Sequence, residues 1–388
     1  MRNTTTELIK ILSPSNKVRK LVASFGAVLA CLSTLAHDDG REHDYGDEET
    51  HYGQFNLVSD LFGVAQLQDT NVVNAWGISF GAGGPFWISD SGTGKATLYA
   101  VTNDATGAPH VTKNARVVTI PGFGVTANLN NTTTGFRTNV FLFASLGGTI
   151  SGWRPALGND AEVLASRITA LYTGITLATN GTSVVLLAAN FSEGTVDEYD
   201  STMHLVGRFA DRRAPAGYKP YNVQNVADTV FVTFAKLDAT KPGVITGRGR
   251  GLIDTFTVSN GVFHRFATGQ AVGGKVRQMD APWGVALAPS SFGSHADQLL
   301  VGNFGSGTIM AFDANGKFRG LLKGAEECPV TIDGLWGLTF GGFGSSGVAT
   351  DLYFTAGPNG ETHGLFGVIQ KENADDDNDD HGQAHGRY

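Results

Sequence analysis

Three short stretches decide the reading: AWGISF at 75–80, PWGVAL at 282–287 and LWGLTF at 335–340. Each is followed by a turn and a second apolar run, PFWISD (85–90), DQLLVGN (297–303) and DLYFTA (351–356). A glycine-rich turn and a third run come next, as in SGTGKATLYAVT and FGSGTIMAFD. Alternation of period two, with β-branched and aromatic residues inside the runs and Gly, Asn, Asp and Ser between them, marks strands joined by hairpins. Weaker copies fill the intervals: FGVTANL (123–129), TGITLATNGTSVVLLAANFSEGTVDEYD (173–200) and YNVQNVADTVFVTFAK (221–236). First strands restart at Gly77, Gly124, Ile175, Val223, Gly284 and Gly337, at intervals of 47, 51, 48, 61 and 53 residues.

A repeat of roughly 40–50 residues holding four short strands is the unit of a propeller blade. Six copies predict an all-β chain, a six-bladed β-propeller of four-stranded antiparallel blades over residues 55–370. The absence of helical periodicity in this stretch argues against alternating α/β architecture. FNLVSDL (55–61) belongs to no copy. It is expected to close the ring as an outer strand beside the last copy, which ends near Gln370.

Composition agrees with a packed body. Of 388 residues, 41% are hydrophobic and only 16% charged, which excludes a disordered polyelectrolyte. A net charge of −8 argues against non-specific nucleic-acid binding, which requires cations to displace phosphate counterions. Two Cys cannot build a disulfide scaffold or a multi-Cys zinc site.

The ends of the chain differ from the body. Residues 1–36 read as a signal peptide: Arg2, Lys10, Lys17, Arg19 and Lys20 precede the apolar run 21–32, and Thr34-Leu35-Ala36 offers small residues for cleavage near Ala36. That run is too short to span ~30 Å of hydrocarbon, so a secreted or periplasmic product without a membrane span is expected. Cys31 leaves a lipoprotein alternative, although Leu29 fits a lipobox poorly. Segment 37–54 holds seven acidic residues and one basic, and 371–388 six acidic and two basic, so both read as disordered acidic, His-bearing tails.

The strings AWGISF…GPFWISDSGTG and PWGVAL…QLLVGNFGSGTIMAFDANGKF resemble NHL-type repeats, six-bladed propellers that include the gluconolactonase-like enzymes. With NLVSD, GTISGW and DGLWGLTFG, the body from about 56 to 370 also resembles a family of secreted bacterial propeller proteins with no established activity. The first resemblance implies a divalent cation, such as Ca²⁺, held in the channel by Asn and Asp just before the first-strand Gly. Here those positions are mostly Trp, Phe or Tyr, and Asp280 and Asp333 stand further back.

Aligned on the strand start, the copies place Trp76, Phe123, Thr173, Tyr221, Trp283 and Trp336 in one column. This column admits an aromatic channel mouth, with Asn74, Asp280 and Asp333 as polar partners, or a wedge repeated between adjacent blades. Repetition around the ring favours the wedge, because a site needs a few placed groups. The sequence therefore points to a binding or interaction module. Its site would lie at the channel mouth and take a small molecule, a carbohydrate or a protein. Asn74, Trp76, Tyr221, Asn222, Asp280, Trp283, Asp333 and Trp336 are its ligand-binding candidates. A monomer without cofactor or nucleic-acid partner is expected, and no catalytic residue is assigned. The alternative is a metal-dependent hydrolase or lyase using Asp280, Asp333 and Asn74 or Asn222. TGRGRG (246–251) lacks the following helix that a phosphate-binding glycine loop needs, so it reads as a turn.

Overall fold

The runs pair locally because tight turns bring them back on themselves. Asn180 pairs with Ser183 across Gly181-Thr182, and Gly181, at φ +62°, supplies the left-handed first position of a two-residue hairpin. Val226 pairs with Thr229 across Ala227-Asp228, both left-handed, where glycine would be usual. The computed structural model describes residues 50–372 except 239, 241–242 and 270–277. The leader, its Cys31, most of the acidic segment before the body and the C-terminal stretch from 373 lie outside the described residues.

Six antiparallel sheets form, one per repeat, and each innermost strand abuts those of its two neighbours. The fold is the six-bladed propeller expected from the repeats. Blades one to five occupy 75–119, 125–166, 172–209, 218–268 and 282–321. Blade six combines three strands from 335–371 with the strand Tyr52–Ser59. That strand runs antiparallel to Leu365–Lys371, pairing Phe55 with Val368 and Val58 with Phe366, so the expected closure is observed.

Burial explains why the rings of sequence become rings of structure. Six of the seven apolar clusters each lie between two adjacent blades. Leu57 and Val58 of the closing strand share one with Ala75, Phe86, Tyr99 and Phe366, joining blade six to blade one. The seventh cluster lies on the axis and contains Trp76, Tyr221, Trp283 and Trp336. Each sheet is therefore buried on both faces, and its low charge follows.

Buried carboxylates punctuate these interfaces. Asp197 of blade three is fully buried and lies 3.3 Å from the Arg208 Nε and 3.6 Å from the Nε of Arg167, in the connection from blade two. In blade four the arrangement is less balanced. Asp254 meets Arg265 at 2.6 Å, and Arg265 also holds Asp211 at 3.0 Å, with Arg213 3.6 Å beyond. Burial pushes the Asp254 carboxyl up to about 7, opposed by Arg265 and reinforced by neighbouring Asp211.

Two outcomes follow from this architecture. Deleting 55–61 removes Leu57 and Val58 from the joint between blades six and one, and should lower the melting temperature sharply and broaden the transition by circular dichroism. An unchanged melt would show that closure does not depend on this strand. For Asp254, the native state binds its proton more tightly than the unfolded chain. Its stabilising contribution is complete below about pH 4 and is lost as pH rises towards 7. Asp254→Asn should flatten that part of the stability–pH profile. An identical slope in both proteins would assign it to other groups.

Candidate functional site

Every innermost strand carries an irregularity near its start. The register slips between Ala75 and Ile78, Val125 and Ala127, Tyr172 and Gly174, Pro220 and Asn222, Pro282 and Val285, and Leu335 and Leu338. The slips contain Trp76, Thr126, Thr173, Tyr221, Trp283 and Trp336 in turn. A β-bulge bends the strand and re-aims the extra side chain. Four of the six are aromatic rather than the five expected, because blade two contributes Thr126. Phe123 lies before that strand and is 37% exposed.

These aromatic side chains do not wedge between blades, as the repetition suggested; they meet one another across the axis. Trp76 stacks on Trp336 at 3.8 Å, and Phe304 covers the same indole at 4.1 Å. Trp283 stands edge-on to Trp336 at 6.0 Å, and Tyr221 lies 5.9 Å from it. The Trp283 indole N–H donates to the Thr173 carbonyl at 3.0 Å, reaching from blade five to blade three. Leu146, Leu171 and Phe191 complete the cluster beside Thr126 and Thr173, where no large bulged residue projects. The axis is thus plugged at the end where the innermost strands begin. One polar atom in the plug, the Trp76 indole nitrogen, is buried with no partner among the described residues.

The polar candidates are tied into loops around this plug. Asn74 accepts from the Trp336 indole N–H at 2.9 Å and donates to Glu361 at 2.8 Å. Burial raises the Glu361 carboxyl, with the Asn74 bond opposing, and burial beside Glu361 raises the Tyr221 phenol further. Asp280 accepts from the Gly247 N–H at 2.7 Å, so the TGRGRG segment is a loop folded over this carboxylate. Burial raises Asp280, and that hydrogen bond opposes the shift. Asp333 accepts from the Asn359 N–H at 2.7 Å. Each carboxylate ties a loop distant in sequence to the approach of an innermost strand, rather than capping its own turn.

The divalent cation implied by the lactonase resemblance does not fit these residues. A hard cation needs several converging oxygens. Here indoles occupy the axis, Asp280 and Asp333 are bound to separate loops, Glu361 is bound by Asn74, and among the described residues no three His, Cys, Asp or Glu side chains cluster to hold a metal.

Beyond the plug the channel opens into a cavity of about 250 Å³ walled by all six innermost strands. Asn222 and Trp283 are the two sequence candidates that line it. The rest of its polar wall was missed: Ser79, Thr176, Gln224 and Thr339, each two residues beyond the bulge glycine or its equivalent, and Asn128, one residue before the corresponding place, which Leu129 takes in blade two. The signal was present, since Ser79 and Thr339 occupy the same place in AWGISF and LWGLTF. Blade five places Ala286 there. Ser79 donates to the Asn128 side-chain oxygen. Asn128 donates to Ser89 at 2.8 Å and to the Trp87 carbonyl at 3.2 Å. The Gln224 carbonyl accepts from the Val285 N–H at 3.3 Å, while its amide nitrogen has no partner among the described residues. Gly77-Ile78-Ser79-Phe80-Gly81 has the spacing of a hydrolase nucleophile elbow. However, Ser79 lies within a strand and bonds an amide rather than a base, so it lacks the strand-to-helix turn and proton acceptor of that motif.

The tightness of the plug is testable at Gly284, where an added Cβ would sit 2.4 Å from the Trp336 carbonyl oxygen. Gly284→Ala should destabilise the protein by about 1–3 kcal/mol in urea unfolding. Gly324→Ala, whose Cβ would meet nothing nearer than 3.6 Å, should stay close to wild type. Equal midpoints for the two variants would refute the close approach of the innermost strands.

No family model matches the chain. Uncharacterized protein R648 of Acanthamoeba polyphaga mimivirus is 30% identical over 335 residues, spanning 81% of this chain and 79% of that protein. Uncharacterized protein L690 of the same virus is 27% identical over 341 residues, 81% of this chain and 85% of its own length. Both relatives are viral, whereas the motif resemblance pointed to bacterial proteins. Among solved structures, a structural genomics protein of unknown function from Bacteroides thetaiotaomicron shares the fold with a TM-score of 0.51 at 10% identity, over 83% of this chain and 76% of its own. The gluconolactonase XC5397 of Xanthomonas campestris gives 0.47 at 14% identity, over 78% and 87%. By its identity and mutual coverage with R648, the chain belongs to the family of that mimivirus protein.

Proposed function

We propose that this propeller is a binding module that takes a small ligand into its central channel, from the end where the innermost strands finish. The observation that carries the reading is the closed-ended cavity of about 250 Å³, walled by all six innermost strands. Its size falls just below the ~300–1,000 Å³ of drug-sized pockets, so one small ring or short chain is the natural occupant. The reading moves the site from the channel mouth of the sequence expectation to the chamber beneath the plug. Of the candidate set it retains Asn222 and Trp283 on the wall. Trp76, Tyr221 and Trp336 become the seal, while Asn74, Asp280 and Asp333 fix the loops around it. The metal-dependent hydrolase alternative gains nothing from this arrangement, because its ligand positions are filled by packing.

Thermal-shift measurement with four chemically distinct probes tests the proposal: myo-inositol, glucuronate, benzyl alcohol and imidazole. At least one should raise the melting temperature of the wild type, since a ligand bound only by the native state stabilises it by mass action. Thr176→Phe, which places a ring into the cavity, should abolish that rise. If no probe acts, or if Thr176→Phe responds like wild type, the channel is not the site.

A further inference from the structure

The channel wall has a chemistry of its own, and it narrows the ligand class; the inference rests on the channel reading above. Five of the six innermost strands bring an uncharged polar residue to the cavity wall: Ser79, Asn128, Thr176, Gln224 and Thr339. Among the described residues no Asp, Glu, Lys, Arg or His lines it. A charged occupant would leave water for a wall without a counter-ion, which is costly. An apolar occupant would cut the Gln224 amide nitrogen, which has no partner among the described residues, off from water and leave it unpaired.

The remaining face of the cavity differs. At the position equivalent to the polar ring blade five has Ala286 and blade two has Leu129, and Trp283 of blade five lines the wall. The occupant therefore meets hydrogen-bonding groups from four strands, with Leu129 of blade two and Trp283 of blade five on the rest of the wall, because the Asn128 amide is spent on blade one. The Gln224 amide nitrogen has no partner among the described residues, so it is a donor available to the occupant. Ser79 and Thr339 spend their hydroxyl hydrogens on Asn128 and on the Phe340 carbonyl, which leaves their oxygens as acceptors. An occupant for this wall needs hydroxyl groups that both donate and accept, no net charge, and one face of C–H groups to lie on the indole.

We infer that the channel ligand is a neutral polyhydroxylated ring, a cyclic polyol or monosaccharide, seated against Trp283 and hydrogen-bonded by Ser79, Thr176, Gln224 and Thr339. The ligand makes no covalent bond, and recognition is by hydrogen bonding and stacking alone.

Isothermal titration of the full chain with myo-inositol and glucose, and separately with glucuronate and benzyl alcohol, tests the class. The neutral polyols should bind, and both glucuronate and benzyl alcohol should bind at least tenfold more weakly. Thr339→Val, which removes one acceptor while keeping the shape, should weaken polyol binding roughly tenfold. Gln224→Leu should do so at least as strongly. A circular-dichroism melt shows that each variant is folded. If glucuronate or benzyl alcohol binds as tightly as the polyols, and Thr176→Phe blocks it, the ligand class is wrong while the channel reading stands. If polyol binding survives Thr176→Phe, or no probe binds, both fall. Equal polyol affinity in wild type, Thr339→Val and Gln224→Leu would overturn the assignment of the ring.

Discussion

The structure depends on how closely six innermost strands can approach around one axis. A side chain at the contact would hold neighbouring backbones apart. A Cβ on Gly77 would lie 2.7 Å from the Ala127 Cα, and one on Gly284 only 2.4 Å from the Trp336 carbonyl oxygen. Glycine at these positions lets the strands close. The adjoining bulge residue must then project away from the neighbouring backbone, and the open direction is the axis. Where that residue is Trp or Tyr, the axis fills with rings. In blades two and three it is Thr126 or Thr173, and Leu146, Leu171 and Phe191 complete the filling from outside the strands. One steric requirement thus produces the ring closure, the aromatic plug and the starting level of the cavity.

The same requirement explains which parts were legible in the sequence. Trp-Gly recurs at blade spacing because both residues are fixed by the contact, so blade number and first strands could be read directly. The closing strand was legible as an apolar run with no place in any copy. Blade two was misaligned because Phe123-Gly124 imitates the motif. Its glycine has φ +63° and turns the chain before the strand, and the register slip comes later, at Thr126. The aim of the aromatic side chains was not legible, since periodicity cannot tell an axial projection from an inter-blade wedge. The polar ring escaped for a related reason. A Ser or Thr alternating with apolar residues on one strand reads as a solvent-facing position, and only six strands curled together turn that face inward.

Packing at the axis also governs the electrostatics around it. A propeller that holds a cation needs short oxygen-bearing side chains where this chain places indoles. Once the rings occupy that volume, the carboxylates nearby are taken up by backbone N–H groups or by a side-chain amide. Asp280 holds the loop at Gly247, Asp333 holds the turn at Asn359, and Glu361 is held by Asn74. Their raised or hydrogen-bonded carboxyls are consequences of tight loop packing. The buried charge that remains lies between the blades, where Asp197 and Asp254 meet arginines of the outer strands. The body therefore combines a low charged fraction with a few buried carboxylates paired to arginines of the neighbouring strand.

The channel is not six-fold in its chemistry, although it is nearly so in its backbone. Asn222 donates to the Trp283 carbonyl at 3.0 Å and accepts from the Val223 N–H at 2.9 Å, so its amide is spent on holding blade four to blade five. Gln224, two residues on, is thereby left as the polar group of blade four that faces the cavity with an open donor. Blade five answers with Trp283 and Ala286. A symmetric ring of identical groups would bind water equally well in any orientation. This wall has one aromatic side and one open donor next to it, so it can distinguish how a ring is turned within it. Orientation is what separates a recognition chamber from a solvent channel, and in this protein it arises from the two blades whose polar position is apolar, Leu129 in blade two and Ala286 in blade five.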